Sequence, residues 1–77
     1  RWIMKNNLPP FGPVLRRFRE EKDLSQEELA ALVDVSPSHI SRMESDLKSP
    51  NLEMIFRLAE ALKIKPHELV KGMEKNS

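Results

Sequence analysis

The chain has 77 residues, with 13 Lys or Arg, 12 Asp or Glu, a formal net charge of +1 and no cysteine. That length points to one domain, which buries only roughly 60–65% of its unfolded surface and has no thiols for disulfide staples or a Cys-based zinc finger. No apolar run is long enough for a membrane span, Arg1–Pro13 lacks the apolar stretch of a signal peptide, and near-neutral charge means that nucleic-acid binding would depend on local charge placement.

Arg1 stands first, and Met4 is the expected natural start, with Arg1–Ile3 a cloning remnant. Residues 1–12 are expected to form an N-terminal arm, 13–73 the folded domain and 74–77 a tail. The only two glycines are Gly12 and Gly72, so residues 14–70 contain none. Alternating Val/Ile/Thr runs and Asn-Gly turns are missing, while apolar residues recur at spacings of three and four, so the expected class is all-α, a compact five-helix bundle.

The first helix is expected from Gly12 or Pro13 to Lys22, with Pro13 in its first turn, Val14, Leu15 and Phe18 inward, and Phe11 stapling its start. Ser25-Gln26-Glu27-Glu28 is a capping-box sequence that opens a second helix ending near Val33, with Leu29, Ala30 and Val33 buried. Ser36 as N-cap and Pro37 at the first helical position open a third, ending near Glu44 or Ser45, with Ile40 and Met43 inward. A fourth runs from Asn51 as cap to about Leu62, with Leu52, Ile55, Phe56, Leu58, Ala59 and Leu62 expected to face the core. A fifth begins at Pro66 and carries Leu69 and Val70, its start weakened by Lys65, a poor cap.

Only Asp34-Val35 separates the second helix's last apolar residue from the next cap, and so short a connection forces a steep crossing, as in a helix-turn-helix. Ala30 is small where the two helices approach. Ser38, His39, Ser41 and Arg42 remain on the open face of the third helix: a short, hydrogen-bonding surface on a rigid buried base, which suits a helix that enters a major groove.

Leu15–Ala30, the segment Val35–Glu44, and the runs Ser49-Pro50-Asn51-Leu52-Glu53 and Leu58-Ala59-Glu60-Ala61-Leu62 resemble, in order, the Cro/phage-repressor helix-turn-helix family of the xenobiotic-response-element type. The resemblance covers about residues 14–70. It implies a lambda-repressor-like domain that binds double-stranded operator DNA, usually as a dimer. It places Gln26 on a DNA phosphate at the positive end of the second helix. Pro37, Ser38 and Arg42 would face base edges, with His39 and Ser41 alongside, and the Arg42 fork would suit guanine. Ser45 and Lys48 would meet the backbone, and Arg19 and Glu44 would form a buried structural ion pair. Arg16 and Arg17 are candidates for phosphate contact, or merely solubilise the first helix.

Two positions depart from the family pattern. Asp34 and Asp46 stand where Gly is common; Asp tolerates a left-handed turn better than most residues, but a carboxylate at position 46 would repel phosphate. Arg42 and Lys48 are balanced by Glu44 and Asp46 over this segment, so modest monomer affinity and a need for dimerisation are expected. Leu69, Val70 and Met73 are the candidate dimer interface, or else cap the core.

No nucleophile–base constellation, Gly-rich phosphate loop or metal cluster is present in the sequence; His39 with His67 lacks completing ligands. The expectation is therefore a prokaryotic or phage cytoplasmic, nucleoid-associated repressor, not an enzyme, with no cofactor, metal, membrane or small-molecule substrate. With no second domain for an effector, control would come through concentration, proteolysis or a partner protein. The setting stays open among phage repressor, restriction–modification controller and antitoxin. A protein-interaction module on the same fold is the alternative.

Overall fold

A computed structural model describes residues 10–75, with side chains through Lys71. Its helices are α1 Gly12–Glu21, α2 Gln26–Val33, α3 Pro37–Glu44, α4 Leu52–Leu62 and α5 Pro66–Lys75, with no strand among the described residues. Residues 1–9 of the expected arm, residues 76–77 of the tail and the Met73 side chain lie outside the described residues.

Three helix starts are built by short polar side chains that satisfy first-turn N–H groups. Ser25 Oγ accepts from the Glu28 N–H at 2.9 Å while Glu28 Oε1 accepts from the Ser25 N–H at 2.8 Å, a reciprocal capping box. Ser36 Oγ accepts from the His39 N–H at 3.2 Å, and Asn51 Oδ1 from the Met54 N–H at 2.8 Å. At α5 the Lys65 side chain supplies no acceptor, but Glu68 Oε2 still accepts from the Lys65 N–H at 3.2 Å.

The ends of α1 to α4 share one device. Asp23, Asp34, Asp46 and Lys63 each take a left-handed φ between 57 and 61°. In each case that residue's N–H bonds back three residues and the next residue's N–H bonds back five, the Schellman pattern. The residue after each is apolar: Leu24, Val35, Leu47 and Ile64. Leu24, Val35 and Ile64 pack against the core, whereas Leu47 is exposed. All four chain reversals are thus made without glycine.

The core joins Val14 and Leu15 of α1, Leu29, Ala30 and Val33 of α2, Ile40 and Met43 of α3, Leu58, Ala59 and Leu62 of α4, and Leu69 of α5. Phe11 is buried with them. Two expectations need correction. Leu52 and Phe56 do not face inward; they are 68% and 52% exposed. Phe56 precedes the buried Leu58 by two positions, about 200° around the helix, and so falls nearly opposite it. Leu69 is not part of a dimer surface, because it is fully buried. Its neighbour Val70 lies about 100° further round α5 and is exposed; adjacent positions on a helix do not share one face.

Candidate nucleic-acid interface

The third helix has one buried side and one open side. Ile40 and Met43 are completely buried, which fixes α3 against α1 and α2. Pro37, Ser38 and Arg42 are exposed, His39 and Ser41 half-buried, and Ser45 and Lys48 exposed in the segment that follows. Ser38 Oγ lies 3.1 Å from Ser36 Oγ, so its hydroxyl adjoins the helix cap. His39 and Lys48 line an open cleft with Ser49, Pro50, Asn51 and Met54, between α3 and the start of α4.

The orientation of α3 is held by a buried charge cluster. Arg19 Nε donates to Glu44 Oε2 at 2.6 Å and Arg19 Nη2 to Glu44 Oε1 at 3.1 Å, a bidentate pair whose side chains are 10% and 5% exposed. Arg19 Nη1 donates to the Leu24 carbonyl at 2.7 Å. Gln26 Nε2 donates to Glu44 Oε1 at 3.0 Å. The Arg19–Glu44 pair therefore ties α1, the α1–α2 turn and the first residue of α2 to the last turn of α3. No buried side-chain nitrogen or oxygen among the described residues lacks a partner, so the cost of burying these charges is met by hydrogen bonds.

The hydrogen bond to Glu44, against the opposing effect of burial, holds the Arg19 guanidinium above its ordinary pKa. A raised pKa on a cation contributes stability that is complete below the unfolded value and is lost only as pH rises through the folded one. Arg19 is therefore charged throughout any working pH, and its contribution is constant there. Removing either partner would strand a buried charge, at a cost of about 3–5 kcal/mol.

The remaining candidates sit as follows. Arg16 and Arg17 are exposed on α1; Arg16 Nε pairs with Glu20 Oε2 at 3.1 Å, and the Arg17 guanidinium lies 5.1 Å from the Phe18 ring centre. Val70 is exposed on α5, separate from this cluster in sequence.

Sequence patterning missed two contacts at the base of α3. Asp46 Oδ1 accepts the Gly12 N–H at 2.8 Å. That carboxylate sits at the positive end of α1 and replaces the missing side-chain cap there. Gly12 itself rests on the α3 backbone: a Cβ at this position would clash with the Glu44 carbonyl oxygen and stand 2.8 Å from the Met43 oxygen. A lone Gly at the start of a helix was the available signal. With Glu44 neutralised by Arg19, the charges left at this end of α3 are Arg42 and Lys48 against the exposed Asp46 carboxylate, one oxygen of which is held by the Gly12 N–H.

The pattern of the Helix-turn-helix family matches residues 15–69. The chain belongs to the Cro/phage-repressor helix-turn-helix family. It is 46% identical to the transcriptional repressor RghR of Bacillus subtilis over 62 residues, which cover 79% of the chain but only 45% of RghR. It therefore spans less than half of that curated relative. The solved structure of the restriction–modification controller C.AhdI of Aeromonas hydrophila is 41% identical, with a TM-score of 0.77 over 83% of this chain and 97% of that one. The P22 c2 repressor, solved in complex with a synthetic operator, is 34% identical, with a TM-score of 0.73 over 80% of this chain and 94% of that one. No helix among the described residues is long and apolar enough to cross a membrane.

Proposed function

We propose that this chain is a sequence-specific DNA-binding transcriptional regulator, a repressor that binds a two-fold symmetric operator as a homodimer. The observation that carries this reading is the two-sided build of α3: Ile40 and Met43 anchor it, Ser38 and Arg42 stand exposed on its far side, and Pro37 is exposed at its first turn. Such a helix presents a rigid, short-chained polar face to a major groove. The P22 c2 repressor, similar in fold and sequence, is seen on an operator.

In this account Arg42 reads base edges, with Ser38, Pro37, His39 and Ser41 beside it. Gln26, Ser45 and Lys48 meet phosphates and fix register, and Arg16 and Arg17 add cationic charge from α1. Two copies place their α3 helices in successive major grooves roughly 34 Å apart. The dimer surface draws on the exposed apolar residues, Val70 among them, with Leu52 and Phe56 taking the place of Leu69. The chain acts in the cytoplasm, where its DNA is, and carries out no catalysis of its own; no cofactor or small-molecule substrate enters the account. The DNA-binding unit takes in the described residues from Phe11, buried in the core, to Lys75 at the end of α5, so it is wider at both ends than residues 13–73.

Of the two acidic side chains at this end of α3, Glu44 is neutralised by Arg19, and Asp46, though still charged, has one oxygen turned onto the Gly12 N–H at the start of α1. That supports DNA as the partner. Selection of bound sites from a random duplex pool tests it. Recovery of a two-fold symmetric motif is the expected result; a pool with no enriched sequence would turn the assignment towards a protein partner.

A further inference from the structure

Glu44 does more than neutralise Arg19. Its Oε1 accepts from both Arg19 Nη2, at 3.1 Å, and Gln26 Nε2, at 3.0 Å. We infer that Glu44 is a positioning residue for DNA binding: it fixes which edge of the Gln26 amide faces outward, and so sets the α2 phosphate contact relative to the recognition helix. This rests on the proposed role of Gln26 at a phosphate.

The chemistry is that of donors and acceptors. An ionised carboxylate accepts only, so the Gln26 amide turns its NH2 towards Glu44. A phosphate oxygen also accepts only, and the useful edge of Gln26 is the same NH2, whose second N–H is left for it. A flipped amide would offer its carbonyl oxygen and find no bond. Pinning the amide before DNA arrives also removes rotamer freedom that binding would otherwise have to freeze. Glu44 can do this next to a polyanion because it is 5% exposed and paired to Arg19, itself anchored on the Leu24 carbonyl at 2.7 Å. The chain of contacts Leu24–Arg19–Glu44–Gln26 thus carries the position of α3 to the first residue of α2.

A double-mutant cycle tests the coupling, with affinity measured on a selected operator and on unrelated duplex, and the thermal midpoint measured in parallel. Gln26→Ala is expected to weaken both DNA affinities by about threefold to tenfold, the loss of one hydrogen bond, and, because Glu44 keeps its bidentate Arg19 partner, to lower the midpoint by less than Glu44→Gln does. Glu44→Gln is expected to weaken them similarly and to lower the midpoint. The double variant then binds no more weakly than the weaker single variant. Losses that multiply in the double variant overturn the inference while leaving the phosphate role of Gln26 intact. A Gln26→Ala variant that binds as well as the parent overturns that role and the inference with it. Should Glu44→Gln fail to fold, the wild-type Gln26 side-chain amide, read by nitrogen-15 NMR, gives the same answer. One side-chain amide proton protected from solvent exchange in the free protein, with the other shifting on adding duplex, supports the inference, and two amide protons that exchange as fast as those of an exposed glutamine overturn it.

Discussion

Gly12 and Asp46 are joined by one hydrogen bond, from the Gly12 N–H to Asp46 Oδ1 at 2.8 Å, across 34 residues of chain. It closes the first turn of α1 onto the residue that ends α3. Asp46 holds a left-handed φ of 60° there, and the same turn leaves Gly12 pressed on the Met43 and Glu44 carbonyls. The third helix is thus held at its C-terminal end by backbone packing as well as by the Arg19–Glu44 pair.

Gly12→Ala is expected to be more disruptive than an ordinary helix-start substitution. The added methyl meets backbone rather than a flexible side chain, so α1 has to shift off α3. A loss of about 1–3 kcal/mol, the range of overpacked cores, should appear in urea unfolding, together with reduced DNA affinity. An alanine variant as stable as the parent would show that α1 moves freely here.

Lys63 is the costliest of the four left-handed residues, because it lacks the short polar side chain that eases Asp into that region. Its φ is 59°, and its N–H and that of Ile64 bond back to Glu60 and Ala59. Lys63→Gly relieves about 1–2 kcal/mol of steric cost and returns about 0.4–1 kcal/mol in chain entropy. A net stabilisation of about 0.5–1 kcal/mol in thermal or urea unfolding is expected, and a destabilisation would contradict the strain assigned to this turn.

How much of this was legible in the sequence differs by kind of signal. The starts of α2, α3 and α4 follow from Ser25, Ser36 and Asn51 because a cap and its partner lie within three residues. The left-handed turn at Asp34 is local too. The turns at Asp23 and Lys63 were hidden, since neither residue type advertises positive φ as glycine does. Gly12 was hidden for another reason: what excludes a side chain there is Glu44, far away in sequence. On α4, apolar residues at Leu52, Ile55, Phe56, Leu58, Ala59 and Leu62 surround too much of the helix for periodicity to say which stripe is buried. Only packing against α2 and α5 decides it, and it leaves Leu52 and Phe56 outside. Within the candidate site, the open face of α3 was legible as alternation of burial, whereas the Gln26–Glu44 bond depends on how α2 meets α3.

The exposed apolar residues make a prediction about assembly. Phe56 and Val70 are about half exposed in the monomer, so Phe56→Glu and Val70→Glu should keep the helical circular dichroism of the parent. The substitution that splits the proposed homodimer in sedimentation, and with it cooperative operator binding, identifies the interface. Two variants that both sediment as dimers would place the contact elsewhere on the surface, for instance at Leu32, which is also exposed.

The most direct test of the account is Arg42→Ala on a selected operator and on a series of that operator with each base pair changed in turn. If the outer face of α3 reads bases through Arg42, the variant loses about 1–3 kcal/mol of operator affinity and its discrimination at one base position per half-site, while discrimination elsewhere is kept. Unchanged affinity, or an equal loss on every sequence, would contradict it.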